Sequence, residues 1–156
     1  MPKSPSQRLQ PVERLAEQRR EEAGRRLAQL QSELRNEEQR LRELLGYRQD
    51  YCTRIVNSGA IDAARLQDFN AFLARLDEAI LQQRQSIAKQ QRKVAHARQH
   101  WLQTWQYHRT MSHVVEKRRE GEEREREQQE QREADETARL LFQALANGQL
   151  PGSEGA

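Results

Sequence analysis

The chain has 156 residues, of which 35% are hydrophobic and 33% are charged, with 5% aromatic residues and a formal net charge of +3. This composition excludes a thick globular core, but it suffices for a two-helix seam, in which each heptad buries only about two side chains. No stretch approaches the roughly 18 apolar residues of a membrane span. The N-terminus lacks the apolar region of a signal peptide, so secretion is not expected. The single cysteine, Cys52, excludes an internal disulfide and fits a reducing cytoplasm.

The charges are distributed unevenly along the chain. Residues 1–55 carry 12 basic and 9 acidic side chains, residues 56–115 carry 8 and 4, and residues 116–136 carry 6 and 10. Mixed signs are typical of a solvated helix surface. A nucleic-acid-binding stripe would be more one-signed, so no nucleic-acid partner is expected.

The first predicted element is a long helix that begins at about residues 8–12, after a disordered N-terminus over residues 1–8, and ends near residue 56. Pro11 suits its first turn, where the missing N–H does no harm. A sustained seven-residue repeat predicts a left-handed coiled coil. The two rows of this helix are Leu27, Leu34, Leu41, Arg48 and Ile55, and Leu9, Ala16, Ala23, Leu30, Glu37, Leu44 and Tyr51.

A turn is predicted at residues 57–61, where Gly59 can adopt a positive φ. Asp62 is a suitable N-cap for a second helix. The rows of the second helix are Leu66, Leu73, Ile80, Ile87, Val94, Trp101, His108 and Val115, and Phe69, Leu76, Gln83, Gln90, Ala97, Thr104 and Met111. The predicted fold is therefore all-α: a long antiparallel two-helix coiled-coil hairpin over residues 9–115.

Folding the second helix back at the turn pairs residues whose numbers add up to about 118–121. Ala16 and Ala23 then face the region of Val94, Trp101 and Trp105, which sets small side chains against large ones. Residue 8 pairs near residue 111, so the second helix is predicted to overhang the first.

Two segments follow the hairpin. Residues 116–136 form a charged extension that is either helical, through i,i+4 pairs, or disordered. Residues 137–156 form a short amphipathic segment and a flexible tail. The apolar patch within 137–148 either docks on a partner or serves as a weak helical cap.

The sequence carries no recognisable catalytic constellation, so no catalytic residue, metal site or cofactor is predicted and the protein is not expected to be an enzyme. His96 and His100 are spaced to share a metal from one helix face, but no third ligand is evident. Cys52 has no activating base nearby and is read as an inert thiol.

Apolar residues outside the rows are the main anomaly of the sequence. Tyr47 and Phe72 lie beside the rows of their helices, and Ala79 extends the outer row of Phe72. A two-helix seam cannot bury Tyr47 or Phe72. These residues indicate either a binding surface or additional packing that stabilises the turn.

The residues around the turn closely resemble the bacterial flagellar FliJ family over roughly residues 9–115. The resemblance rests on the segments LLGYRQDY at 44–51 and DFNAFLARLDEAI at 68–80, with Trp101 further on and Leu15-Ala16-Glu17 early in the chain. It implies a stalk-like, non-enzymatic component of the flagellar type III export apparatus, cytoplasmic and peripheral on the inner membrane through its partners. The implied binding surface for the export gate consists of Leu44, Tyr47, Tyr51, Phe72, Leu76 and Ala79.

The partners that the resemblance implies are the hexameric FliI-like export ATPase, the export gate protein FlhA and empty export chaperones. The ATPase contact would lie around residues 9–20 and 100–115. The alternatives are an injectisome stalk of the related YscO type and a generic coiled-coil scaffold.

Overall fold

The computed structural model describes residues 2–148, which form two helices. Helix α1 comprises Pro5–Asn57, with 53 residues, and helix α2 comprises Ala63–Ala146, with 84 residues. Residues 2–148 contain no β-strand. The all-α prediction with two helices is confirmed.

Helix α1 begins at Pro5, before the expected start at residues 8–12, because a capping box precedes it. The N–H of Gln7 donates to Ser4 Oγ (3.4 Å), and the N–H of Ser4 donates to Gln7 Oε1 (3.1 Å). These bonds satisfy donors that the first turn of a helix leaves unpaired. Pro5 takes the first helical position, and Pro11 lies inside the helix instead of in its first turn.

The chain divides into two compact units, which are described separately. Leu15–His108 form one unit, here called the hairpin unit. Residues 2–14 and 109–148 form the other, here called the terminal unit.

The hairpin unit is an antiparallel pair of helices whose buried apolar residues lie on the predicted heptad rows. They are Ala16, Ala23, Leu27, Leu30, Ile80, Ile87 and Val94. Leu27, Leu30 and Val94 form a cluster on which Leu34, Ala97 and Trp101 pack. Since the core lies along the heptad rows, the seven-residue repeat accounts for the pairing of the helices.

The register of the hairpin unit lies close to the expected one. Contacting pairs have residue numbers that add up to 120–125, against the expected 118–121. Trp101 lies beside Gly24, so a small residue does face the indole, one position along from the expected Ala23.

Two polar layers interrupt the apolar seam. Gln83 Nε2 donates to the backbone carbonyl of Glu37 (2.8 Å) and to its Oε2 (2.5 Å). Gln90, which is 8% exposed, donates from Nε2 to the carbonyl of Leu30 (3.2 Å) and to Glu33 Oε2 (3.1 Å). In a shifted pairing of the helices, the amide donors of Gln83 and Gln90 would lose these acceptors. The polar layers therefore favour the observed register.

In the terminal unit, the start of α1 is held by a carboxylate of α2. The N–H of Ser6 donates to Glu122 Oε1 (2.8 Å), and Ser6 Oγ donates to Glu122 Oε2 (2.6 Å). The side-chain bond from Ser6, followed by the backbone bond, lowers the pKa of Glu122. This pairing lies further along α2 than the expected pairing of residue 8 with residue 111.

Helix α2 continues without a break through the charged extension, so residues 116–136 are helical, one of the two alternatives predicted. From residue 123 to residue 146 every side chain is exposed except that of Ala144. Leu140, Leu141 and Phe142, of the apolar patch, are 57%, 60% and 74% exposed. Whether this patch docks on a partner or acts as a cap stays a prediction, and the tail after Gly148 lies outside the described residues.

No described helix combines the length and apolar character that crossing a membrane requires.

Candidate functional site

The turn of the hairpin unit is fixed by short-range hydrogen bonds. Ser58 donates from its N–H (3.3 Å) and from its Oγ (2.8 Å) to the carbonyl of Ile55, which ends α1. Gly59 has φ of 81°, a left-handed conformation that favours glycine. Asp62 Oδ1 accepts the N–H of Arg65 (2.8 Å), so Asp62 caps α2 as predicted.

The six residues of the implied gate-binding surface are placed on both helices next to this turn, and together they are called the tip surface. Leu44, Tyr47 and Tyr51 lie on one side of α1, and Phe72, Leu76 and Ala79 lie on one side of α2, because each set repeats at three- and four-residue intervals. Tyr47 is 64% exposed and Phe72 is 43% exposed. The half-buried members are Leu44, Tyr51, Leu76 and Ala79.

An aromatic cluster connects the two helices within the tip surface. The ring of Tyr51 stacks on Phe69 at a centroid distance of 5.3 Å and contacts the ring of Phe72 at 4.4 Å. Phe72 therefore contributes to packing while nearly half of its side chain stays exposed, whereas Tyr47 projects into solvent. The packing interpretation of the off-seam residues thus applies to Phe72, and the binding interpretation stays a prediction.

An ion pair adjoins the tip surface. Arg48 Nε donates to Asp77 Oδ1 at 2.6 Å, which joins α1 to α2. The hydrogen bond from Arg48 to Asp77, with the carboxylate charge, raises the pKa of Arg48. Arg48 occupies an apolar row of α1, and the pair explains how a charged side chain is accommodated there. Because both groups are well exposed, we assign the pair a role in register more than in stability.

Further apolar residues near the turn are exposed, although sequence reasoning did not include them in the site. Val56 is 80% exposed, Leu66 is 47% exposed and Leu45 is 37% exposed. Leu45 and Val56 each follow a residue of a heptad row directly, so their off-row position was a signal that could have identified them. Leu66 was assigned to the seam, but it lies in the first turn of α2 and nearly half of its side chain is exposed.

His96 and His100, four residues apart on α2 and given no site in the sequence prediction, lie in a groove of the hairpin unit. His96 and His100 are exposed and line the same hollow of the hairpin unit. Among residues 2–148, no three side chains of His, Cys, Asp or Glu come close enough together to hold a metal ion. Cys52 is a half-buried free thiol.

The family model described as "Flagellar FliJ protein" matches residues 5–146. The chain belongs to the FliJ family. The match is longer than the resemblance seen at residues 9–115, and it includes the charged extension and most of the apolar patch. Membership supports a role connected with flagellar protein export. No curated protein and no solved structure matches the chain significantly.

Proposed function

We propose that this FliJ-family protein is a stalk-like component of the flagellar type III export apparatus, which couples the export ATPase ring to the membrane export gate. In this proposal the tip surface binds the gate protein FlhA. The observation that carries it is the exposure of Tyr47 and Phe72 on a chain that the FliJ family model matches over residues 5–146.

The exposure of these aromatic side chains favours a binding role. Tyr and Phe bury large apolar areas, and a few buried aromatic residues commonly dominate the energy of an interface. The half-buried Leu44, Leu76 and Ala79 would surround them with apolar surface that excludes water. The turn, held by Gly59, Asp62 and the Ser58 bonds, would present this surface on a preorganised scaffold.

The other partners follow from the family resemblance. The protein would contact the hexameric export ATPase around residues 9–20 and 100–115, and it would escort empty export chaperones. Association with the cytoplasmic side of the inner membrane would come through the partners. The flagellar match favours this role over a YscO-type injectisome stalk or a generic scaffold.

The proposed gate contact is tested with the double variant Tyr47→Ala/Phe72→Ala. We expect its affinity for purified FlhA to fall at least about tenfold, which corresponds to about 1.4 kcal/mol, because both aromatic anchors are removed. Helicity by circular dichroism should stay nearly unchanged, since Tyr47 and Phe72 lie outside the heptad rows. Binding is measured by isothermal titration calorimetry.

The matched control is Leu81→Ala/Leu102→Ala. Both residues are apolar, are 51% and 45% exposed, and lie in the hairpin unit outside the tip surface. Their removal should leave the affinity for FlhA unchanged. A large loss of helicity in the tip variant would show that Tyr47 and Phe72 hold the fold, and an equal loss of affinity in the control would remove the case for the tip surface.

A further inference from the structure

The hairpin unit contains a groove between α1 and α2 that lies outside the tip surface and reaches the proposed ATPase contact region at His100. Its volume is about 730 Å³. Its floor is apolar and consists of the buried side chains of Ala23 and Leu30 and the half-buried side chain of Ala97. The cationic side chains of the groove are Arg26, Lys89, Arg92 and Lys93. The floor and these cations together are here called the basic groove.

The charge of the basic groove is of one sign. No carboxylate group lines it, although charges elsewhere on the described surface are mixed. The sequence from residue 79 to residue 115 contains no Asp or Glu and holds all four histidines of the chain. Among residues 2–148, none of the four cations of the groove makes an ion pair or a side-chain hydrogen bond. Four exposed, uncompensated cations beside an apolar floor favour an anionic partner.

The basic side chains follow the periodicity of one helix face. Lys89, Arg92, Lys93, His96 and His100 have the spacing i, i+3, i+4, i+7 and i+11, which places them along one side of α2. At about 1.5 Å per residue they extend over roughly 17 Å. Such a row can meet carboxylates that recur with the same spacing on another helix.

Two smaller hollows prolong the groove along the same pair of helices. One shares Ala23, Arg26 and His100 with the basic groove and adds Arg19 and Glu22. The next reaches Ala16 and Tyr107. From Lys89 to Tyr107 the three hollows, which share lining residues, span roughly 27 Å on the rise of α2, which is the length of a helix of about 18 residues.

We infer that the basic groove binds an acidic amphipathic helix of a partner protein. A stripe of small apolar side chains on that helix would cover Ala23, Leu30 and Ala97, and its flanking Asp and Glu residues would pair with the cations of the walls. The narrow methyl-lined floor between two helices suits a helix more than a nucleic acid, which requires stacking aromatic side chains or a wide basic track. This inference rests on the groove and not on the export role or the tip surface.

The test uses the full chain and synthetic probes. The first probe is a fluorescein-labelled 18-residue peptide with Glu at i, i+3, i+4 and i+7 spacing beside a stripe of Ala and Leu. The second has the same composition in an order that destroys the amphipathic pattern. The third is a single-stranded DNA of 18 nucleotides. Binding is followed by fluorescence anisotropy at about 0.1 M salt, where charges are screened beyond about 10 Å.

We expect the amphipathic peptide to bind at least tenfold more tightly than the scrambled peptide and the DNA. The variant Arg26→Glu/Lys93→Glu, which reverses two charges of the groove, should weaken this binding at least tenfold. The control Arg25→Glu/Arg98→Glu makes the same change in net charge on exposed residues of the same two helices, outside the groove, and should weaken it less than threefold. Circular dichroism of each variant verifies that the helices are intact.

Five results would overturn the inference. Equal binding of all probes, or equal effects of the groove and control variants, would show general attraction between opposite charges. Tighter binding of the DNA would identify a nucleic-acid surface. Absence of binding by the amphipathic peptide would remove the site. A dimer of the full chain in sedimentation velocity that Arg26→Glu/Lys93→Glu abolishes would identify a second copy as the occupant. None of these results bears on the affinity of the tip surface for FlhA.

Discussion

At the scale of single residues, Gly24 makes room for a large side chain of the opposite helix. A Cβ atom built on this glycine would lie 3.3 Å from Trp101 Nε1, which is tighter than an ordinary van der Waals contact. Trp101 in turn packs on the cluster of Leu27, Leu30 and Val94. The glycine thus weakens the helix locally and lets a large side chain enter the seam.

We predict that Gly24→Ala and Gly46→Ala differ in their effect on stability. Gly46 has open space around its Cα, so Gly46→Ala should raise the free energy of unfolding by about 0.5–1 kcal/mol through helix propensity alone. Gly24→Ala should raise the free energy of unfolding by at least about 0.5 kcal/mol less than Gly46→Ala does, or should lower it, because Trp101 must move. Urea denaturation of both variants measures the difference, and equal stabilisation would show that Trp101 yields without cost.

At the scale of elements, the start of α1 depends on groups from both helices of the terminal unit. Ser4 and Gln7 close the capping box, and Glu122 of α2 accepts two hydrogen bonds from Ser6. The N-terminus of a helix carries a partial positive charge, so a carboxylate there is favourable in its ionised form. Ser6 lies in the first turn of α1, yet it is only 5% exposed because it contacts Glu122.

The contact between Ser6 and Glu122 should be lost on acidification. Because the pKa of Glu122 is lowered from its ordinary value of 4.5, the ionised form stabilises the folded state above that pH. This stabilisation disappears as the pH falls through the lower, folded-state pKa. We therefore expect the amide signal of Ser6 in NMR spectra to titrate with a midpoint below 4.5.

Two variants control this titration. Glu122→Gln removes the ionisable group and should leave the Ser6 amide signal independent of pH in the acidic range. Glu123→Gln changes an exposed neighbour and should preserve the titration of the original chain. A midpoint at or above 4.5, or an unchanged titration in Glu122→Gln, would contradict the assignment.

At the scale of the whole molecule, the chain combines a hairpin unit with a defined core and a terminal unit that is largely exposed. The hairpin unit carries both the tip surface and the basic groove, which lie at different positions along the same two helices. Neither surface contains a constellation for catalysis among the described residues. Under the two proposals, the tip surface would contact the export gate and the basic groove would contact an acidic helix of a partner.

We predict that the full protein raises the rate of ATP hydrolysis by its cognate export ATPase. In the proposed function the tip surface faces the gate, so Tyr47→Ala/Phe72→Ala should stimulate the ATPase as strongly as the original chain. A coupled assay of ATP hydrolysis over a range of protein ratios measures this effect. The absence of stimulation at every ratio would favour the generic coiled-coil scaffold.

The sequence alone was sufficient to predict the two helices, the turn and the buried residues of the seam, although it also placed the exposed Leu66 there. The heptad repeat and the turn residues Gly59 and Asp62 act over short distances, so their patterns can be read without the fold. The same rows identified Tyr47 and Phe72 by exclusion, because a seam of known periodicity shows which apolar residues it does not need. The early start of α1 was also readable, since Ser4 and Gln7 have the capping-box spacing.

Other features depend on how the two helices pack. The sequence shows that Lys89, Arg92 and Lys93 share one face of α2, but the groove exists because Ala23 and Leu30 of α1 lie beside them. The acceptors of Gln83 and Gln90, and the bonds of Ser6 to Glu122, join residues 46 to 116 positions apart. Periodicity determines which side of a helix a residue occupies. Only packing decides what lies opposite, because a small deviation from the assumed register changes every distant partner.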